Sequence, residues 1–206
     1  MGFFIIGKAN VIYYNMIGRL YLLRKGSMME DNIFLKNRKE LSLADYMKAQ
    51  ENGRENLGTE LPVAVYRLLE YSLREELSAR FGKEEQIDIF RSAGFRAGTY
   101  FAEKYLDSSL ELSEFTSQLQ KRLEEFKMGV LRIEKFDEET GKMVLTVSED
   151  ADCSGLPLLG ETVCNYDEGF LAGILTSYTG RVYNATEVNC WATGDRVCRF
   201  RADIEE

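Results

Sequence analysis

The residues best suited to chemistry lie near the C-terminus, between Cys164 and Cys198. The stretch reads CNYDEGFLAGILTSYTGRVYNATEVNCWATGDRVC and holds three of the chain's four cysteines, with Glu187 between them. Thiolate and carboxylate together make an acceptable tetrahedral set for zinc, and Cys164, Glu187, Cys190 and Cys198 read as one four-ligand metal site. Cys190 and Cys198 flank a turn, so their side chains can meet across it. Cys164 stands just before a helical pattern, where main-chain N–H groups and the helix dipole favour a thiolate. Glu187 and Cys190 are three residues apart, which in a regular strand puts them on opposite faces. The reading therefore requires a bulge or turn at Val188–Asn189. Three thiolates and a carboxylate leave no open coordination position, so the site would be structural. Cys153 stays outside it, a loop or core thiol with no assigned role. The alternative is that the cysteines are small buried hydrophobes on strands. No two of them are separated by only two residues, so spacing does not decide.

The totals narrow the function. A chain of 206 residues with 45% hydrophobic residues can bury a sizeable core. A formal net charge of -8 argues against binding the phosphate backbone of nucleic acid or an anionic membrane surface. There is no histidine, which excludes Ser-His-Asp and Cys-His catalysis and any imidazole ligand. The apolar N-terminus, MGFFIIGKANVIYYNMIGRLYLL, is broken by Lys8 and Arg19 and fits neither a membrane span nor a signal peptide. Residues 1–28 read as an N-terminal extension, either ahead of a true start at Met28 or Met29 or forming an added strand pair. Residues 29–206 read as a single domain, with a helical part over 60–128 and a core motif region over 143–204. A reducing, cytoplasmic location is expected, so the cysteines point to metal or free thiols rather than disulfides.

The elements that must position the site follow in order. A short helix is expected near Leu43–Gln50. A helix over Pro62–Arg80 repeats Val65, Leu69, Leu73 and Leu77 every four residues and stops at Gly82. Lys83–Leu106 forms a second helix, in which Gly94 and Gly98 permit close approach of either another helix or a ligand. Ser113 is the expected N-cap of a third, with Phe115, Leu119, Leu123 and Phe126 on its buried side. Val130–Phe136 and Met143–Glu149 alternate as a hairpin with Gly141 at positive φ. Asn165 or Asp167 caps a helix carrying Phe170, Leu171, Ile174, Leu175 and Tyr178, ended by Gly180. Arg181–Cys190 and Val197–Ile204 close the chain as strands, with Cys198, Phe200, Ala202 and Ile204 on one face. The result is an α+β domain, N-terminal helices packed on an antiparallel sheet of hairpins.

The segment Cys164 to Ile204 closely resembles the 4-vinyl reductase domain. The shared pattern is Cys164, Tyr166, Gly169, Phe170, Gly173, Glu187, Cys190, Cys198 and Phe200. The resemblance implies a fold shared with TRAPP-type trafficking subunits and a role in binding small molecules, often hydrocarbons. In aromatic-sensing bacterial regulators of this family the residues matching Cys164, Glu187, Cys190 and Cys198 bind zinc. Those regulators hold phenols with a histidine and a tryptophan. This chain lacks histidine and carries its one tryptophan, Trp191, in the hairpin, so phenol specificity does not carry over. The regulators continue into ATPase and DNA-binding domains, whereas this sequence ends at Glu206, which suggests a stand-alone module.

The leading expectation is thus a ligand-binding, sensor-type domain with a structural zinc. Its cavity would lie between the second helix, the third helix and the sheet, lined by Phe101, Phe126, Phe170 and Ile174, and would take an apolar or aromatic molecule. The same aromatics could equally be plain core. One alternative is an enzyme or accessory in tetrapyrrole vinyl reduction, although no dinucleotide fingerprint or acid–base pair stands out. The other is a TRAPP-like interaction module. A homodimer and a separate regulatory protein are the partners expected beside the small molecule.

Overall fold

The computed structural model describes residues 41–48, 54 and 56–205. The chain divides into two compact units, Met1–Gly58 and Thr59–Glu206. The extension expected over residues 1–28 lies outside the described residues. Within the first unit, helix α1 (Leu43–Met47) starts at a capping box in which Ser42 and Asp45 satisfy each other's main-chain N–H groups.

The second unit opens with three helices: α2 (Val63–Phe81), α3 (Lys83–Tyr105) and α4 (Leu112–Glu125). Pro62 occupies the N-cap of α2, and Gly82, at φ 91°, separates α2 from α3. The α4 helix begins one residue before Ser113, with Glu111 at the cap and no side-chain cap bond. Ser113 instead accepts the hydroxyls of Thr116 and Ser117 at its carbonyl. Phe115, Leu119 and Leu123 are buried as their spacing predicts. Phe126 is not: the helix ends at Glu125, the periodicity ends with it, and the ring stands 45% exposed.

Strands β1 (Val130–Phe136) and β2 (Met143–Ser148) form the first hairpin, with Gly141 at φ 72°. Helix α5 (Asn165–Thr179) and strands β3 (Tyr183–Asn189) and β4 (Cys198–Ile204) complete the unit. The sheet is antiparallel throughout, in the order β1-β2-β4-β3. β4 is therefore central, and Cys198, Phe200 and Ala202 are buried on one face as the alternation requires. Each large apolar side chain so buried contributes roughly 1.5–3 kcal/mol. Gly180, in the left-handed conformation, stops α5.

Helix α5 is buried along most of its length, from Asn165 through Leu175 save Tyr166 and Asp167. That is possible because α3 and α5 cross on glycines. A Cβ on Gly94 would lie 2.0 Å from the Tyr166 carbonyl oxygen, and one on Gly169 would lie 1.9 Å from that of Arg91. The two glycine pairs interlock, so Gly94 and Gly98 serve helix packing.

Helix α2 is turned the other way from its leucine repeat. Leu68, Leu69 and Leu73 are exposed, while Glu70 is the one α2 residue that is buried. Its inward face is polar. Tyr66 Oη donates to Asp152 Oδ1 at 2.5 Å, Tyr71 Oη to the Asp152 carbonyl at 3.0 Å, and Arg67 to the carbonyls of Ala151 and Ser154 at 2.7 and 2.8 Å. Arg74 reaches Asn165, the Val163 carbonyl and Glu70. Most of these partners sit more than eighty residues downstream, where no local periodicity can announce them. No helix among the described residues is long and apolar enough to cross a membrane.

Candidate metal centre

Four loop and element ends converge beneath β4. Cys164 is the N-cap of α5, without a side-chain cap bond, so neither Asn165 nor Asp167 takes that role. Cys190 follows β3 and caps a 3-10 turn, Trp191–Thr193. Cys198 opens β4 opposite Val147 of β2. Cys153 comes from the turn between β2 and α5. Their Sγ atoms all lie within 4.8 Å of one another, and all four residues are buried. Cys164 Sγ is 3.7 Å from Cys198 Sγ and 3.9 Å from Cys190 Sγ, and Cys153 Sγ is 3.0 Å from Cys198 Sγ. A tetrahedral zinc with Zn–S bonds of ~2.3 Å has S···S edges of about 3.8 Å. The donor set and most of its geometry fit a structural zinc, which such a set would hold closed, supplying folding energy rather than Lewis acidity.

The bulge that the spacing requires is present: the β3–β4 register shifts between Glu187 and Asn189. It returns Cys190 to the buried side. The main-chain N–H of Thr193 is directed at the Cys190 sulfur, and the Cys190 N–H donates to Thr193 Oγ1 at 3.1 Å. Donors aimed at sulfur favour the thiolate. Contacts among the sulfurs, led by Cys153, pull the Cys190 thiol down and push the Cys164 and Cys198 thiols up.

Glu187 is buried beside the thiols but is engaged elsewhere. Its Oε2 accepts the Cys164 N–H at 3.0 Å, while Oε1 has no partner among the described residues. Burial, reinforced by Cys190, pushes its carboxyl up to about 8. Its own N–H donates to Glu168 Oε1 at 2.8 Å, and Glu168 Oε2 accepts Arg91 Nε at 2.6 Å. The structure thus unites Cys164, Cys190 and Cys198, adds Cys153 to them, and sets Glu187 against the Cys164 main chain. Cys153 is expected outside the site from the sequence; the turn over Asp150–Gly155 folds it inward, with Asp152 N–H on Asp150 Oδ1 and Ser154 N–H on the Asp150 carbonyl.

Sequence reasoning missed the acids around the cluster. Asp150 and Asp167 carboxylate oxygens lie within 4.8 Å of Cys164 Sγ. Burial raises the carboxyls of Asp150, Asp152 and Asp167. The signal was the run Glu149-Asp150-Ala151-Asp152-Cys153, which puts two acids directly before a cysteine.

The expected ligand-lining residues form one aromatic cluster. Phe101 meets Phe126 and Phe170 at ring-centroid distances of 5.4 and 5.3 Å, and Ile174 is fully buried. Of these four, Phe170 borders a cavity of about 20 Å³ shared with Leu123, Met128, Gly129, Val147, Asp167 and Leu171. That is room for about one water molecule. A larger groove of about 220 Å³ runs past Arg91, Glu168 and the Tyr183–Ala185 stretch of β3.

Known proteins share both the motif and the architecture. Residues 143–204 match the family model of the vinyl-4-reductase domain, so this stretch carries such a domain. Two uncharacterized proteins of Methanocaldococcus jannaschii are similar over 73% of the chain, at 29% and 27% identity, covering 80% and 82% of their lengths. A vinyl-4-reductase family protein from Methanocaldococcus jannaschii superposes with a TM-score of 0.54 at 16% identity, covering 82% of this chain and 99% of that one. The phenol-responsive sensory domain of the transcription activator PoxR, solved with phenol, gives 0.55 at 18% identity over 70% of this chain and 75% of its own. A trafficking protein particle complex subunit 3 from Naegleria fowleri, covalently bound to palmitic acid, gives 0.52 at 13% identity over 69% and 97%. The α+β fold is the one these domains share.

Proposed function

We propose that the chain is a sensor-type module that binds an apolar or aromatic small molecule and is stabilised by a structural zinc. The observation that carries the reading is the buried thiol cluster, set where α5, β3, β4 and the turn after β2 meet in a vinyl-4-reductase-type unit. The fold is also that of a phenol-responsive domain and of a palmitate-bearing subunit. The ligand would enter where α3, α4 and α5 meet, by displacing the half-exposed Phe126 ring from Phe101 and Tyr105. The Phe101, Phe170 and Ile174 side chains would then supply the apolar wall. A wall of aromatic rings and one aliphatic side chain suits an uncharged guest. A reducing, cytoplasmic setting suits four free thiols.

A second reading draws on a specific observation. The small interior cavity and the outward leucines of α2 favour a protein-interaction module, working as a homodimer or with a separate regulatory protein. Native mass spectrometry of the purified chain, followed by the same sample denatured, separates the two. One zinc per chain with an apolar adduct supports the sensor. Zinc with a dimer and no adduct supports the interaction module. Absence of zinc overturns the metal reading.

A further inference from the structure

We propose that Cys153, rather than Glu187, supplies the fourth ligand, so that the zinc of this chain is held by thiolates alone. The inference rests on the structural-zinc reading above and concerns which residues complete that site.

Five groups compete for four places. A tetrahedral ion accepts four donors, so one of Cys153, Cys164, Glu187, Cys190 and Cys198 must stand outside. The sulfur of Cys153 lies within 4.8 Å of the other three sulfurs. Glu187 joins no such group among the described residues. Its Oε2 is committed to the Cys164 N–H, which leaves the carboxyl holding the main chain of a ligand rather than the ion. That is the position of an outer partner, orienting a ligand from behind. Glu168 holds Glu187 there in turn through its main-chain N–H.

The choice of ligand changes what the metal fastens. Cys164, Cys190 and Cys198 join α5 to the ends of β3 and β4. Cys153 adds the turn on which α2 is seated, because Tyr66 and Tyr71 bond to Asp152 and Arg67 bonds to Ala151 and Ser154. With Cys153 as ligand, the ion and α2 are linked through a single short turn. With Glu187 as ligand, they are not.

The test is zinc K-edge absorption on the full chain, alongside Glu187→Gln and Cys153→Ser. Four sulfurs at about 2.3 Å in the wild type, retained in E187Q, are the expected result. E187Q should weaken binding by about 10- to 100-fold at most, as the loss of an outer partner does. C153S should exchange one sulfur for an oxygen, and hydrogen exchange over residues 63–81 should accelerate in it. A first shell of three sulfurs and one oxygen in the wild type, lost in E187Q and unchanged in C153S, would overturn the assignment and leave the zinc reading standing. Failure of the wild type to take up zinc would overturn both. The wild-type and E187Q spectra decide the matter even where C153S does not fold.

Discussion

Gly98 of α3 and Phe170 of α5 stand backbone to backbone: a methyl group on Gly98 would lie 2.0 Å from the Phe170 carbonyl oxygen. The contact partner is main chain, so no rotamer change can relieve it. Gly98→Ala and Gly169→Ala must push the helices apart. The gain in helix propensity of about 1 kcal/mol does not offset an overpacking cost of about 3 kcal/mol or more. Chemical denaturation of both variants should show net losses of at least about 2 kcal/mol. A loss below about 0.5 kcal/mol would mean the helices do not cross so closely.

Removal of the metal should act on the same unit. Cys198→Ser and Cys190→Ser should lose zinc and thermal stability together, since binding free energy at such a site is folding free energy, about 10–16 kcal/mol in zinc-finger peptides. Zinc content and melting temperature measured on one preparation check this. A variant with full zinc and an unchanged melting temperature would remove that residue from the ligand set.

The aromatic cluster offers a contrast between neighbours. Phe101 is 5% exposed and Phe126 is 45% exposed. Phe101→Ala should cost about 3–5 kcal/mol, as truncation of a buried ring does. Phe126→Ala should cost about 1 kcal/mol, with its larger effect on binding of aromatic probes such as phenol or naphthalene. Equal stability losses would place Phe126 inside the core.

Glu70 gives a pH dependence. Burial raises its carboxyl above the ordinary 4.5, against the pull of Arg74. The folded chain therefore keeps this proton where the unfolded chain has released it. The contribution to stability is full below about 4.5 and is lost as pH rises through the folded value. Glu70→Gln removes the titration, so its melting temperature should fall less between pH 5 and pH 8 than the wild type's. Parallel curves for the two proteins would contradict the raised value.

Much of this was legible in the residues themselves. The glycines of α3 and α5 announced a close approach, and Gly141 its turn. The alternation of β4 gave its buried face, and the three-residue step from Glu187 to Cys190 demanded the bulge that is present. What was hidden depends on contacts far apart in sequence. The leucine repeat of α2 suggested a core face, but polar partners in the 150–154 turn draw its other side inward. Cys153 looked isolated because nothing local shows that the same turn buries its sulfur against Cys198, forty-five positions later. Phe126 continued a helical spacing one residue past the end of its helix.

The seating of α2 on hydroxyl and guanidinium contacts has a mechanical consequence. Apolar ridges can slide to the next groove and keep most of their contact. Hydrogen bonds fall off steeply with distance and angle. A slip of one helical turn, about 5.4 Å, would break the bonds of Tyr66, Arg67, Tyr71 and Arg74 together. The helix therefore has a single seat, tight in register and brittle to displacement, and it comes away as a whole or not at all.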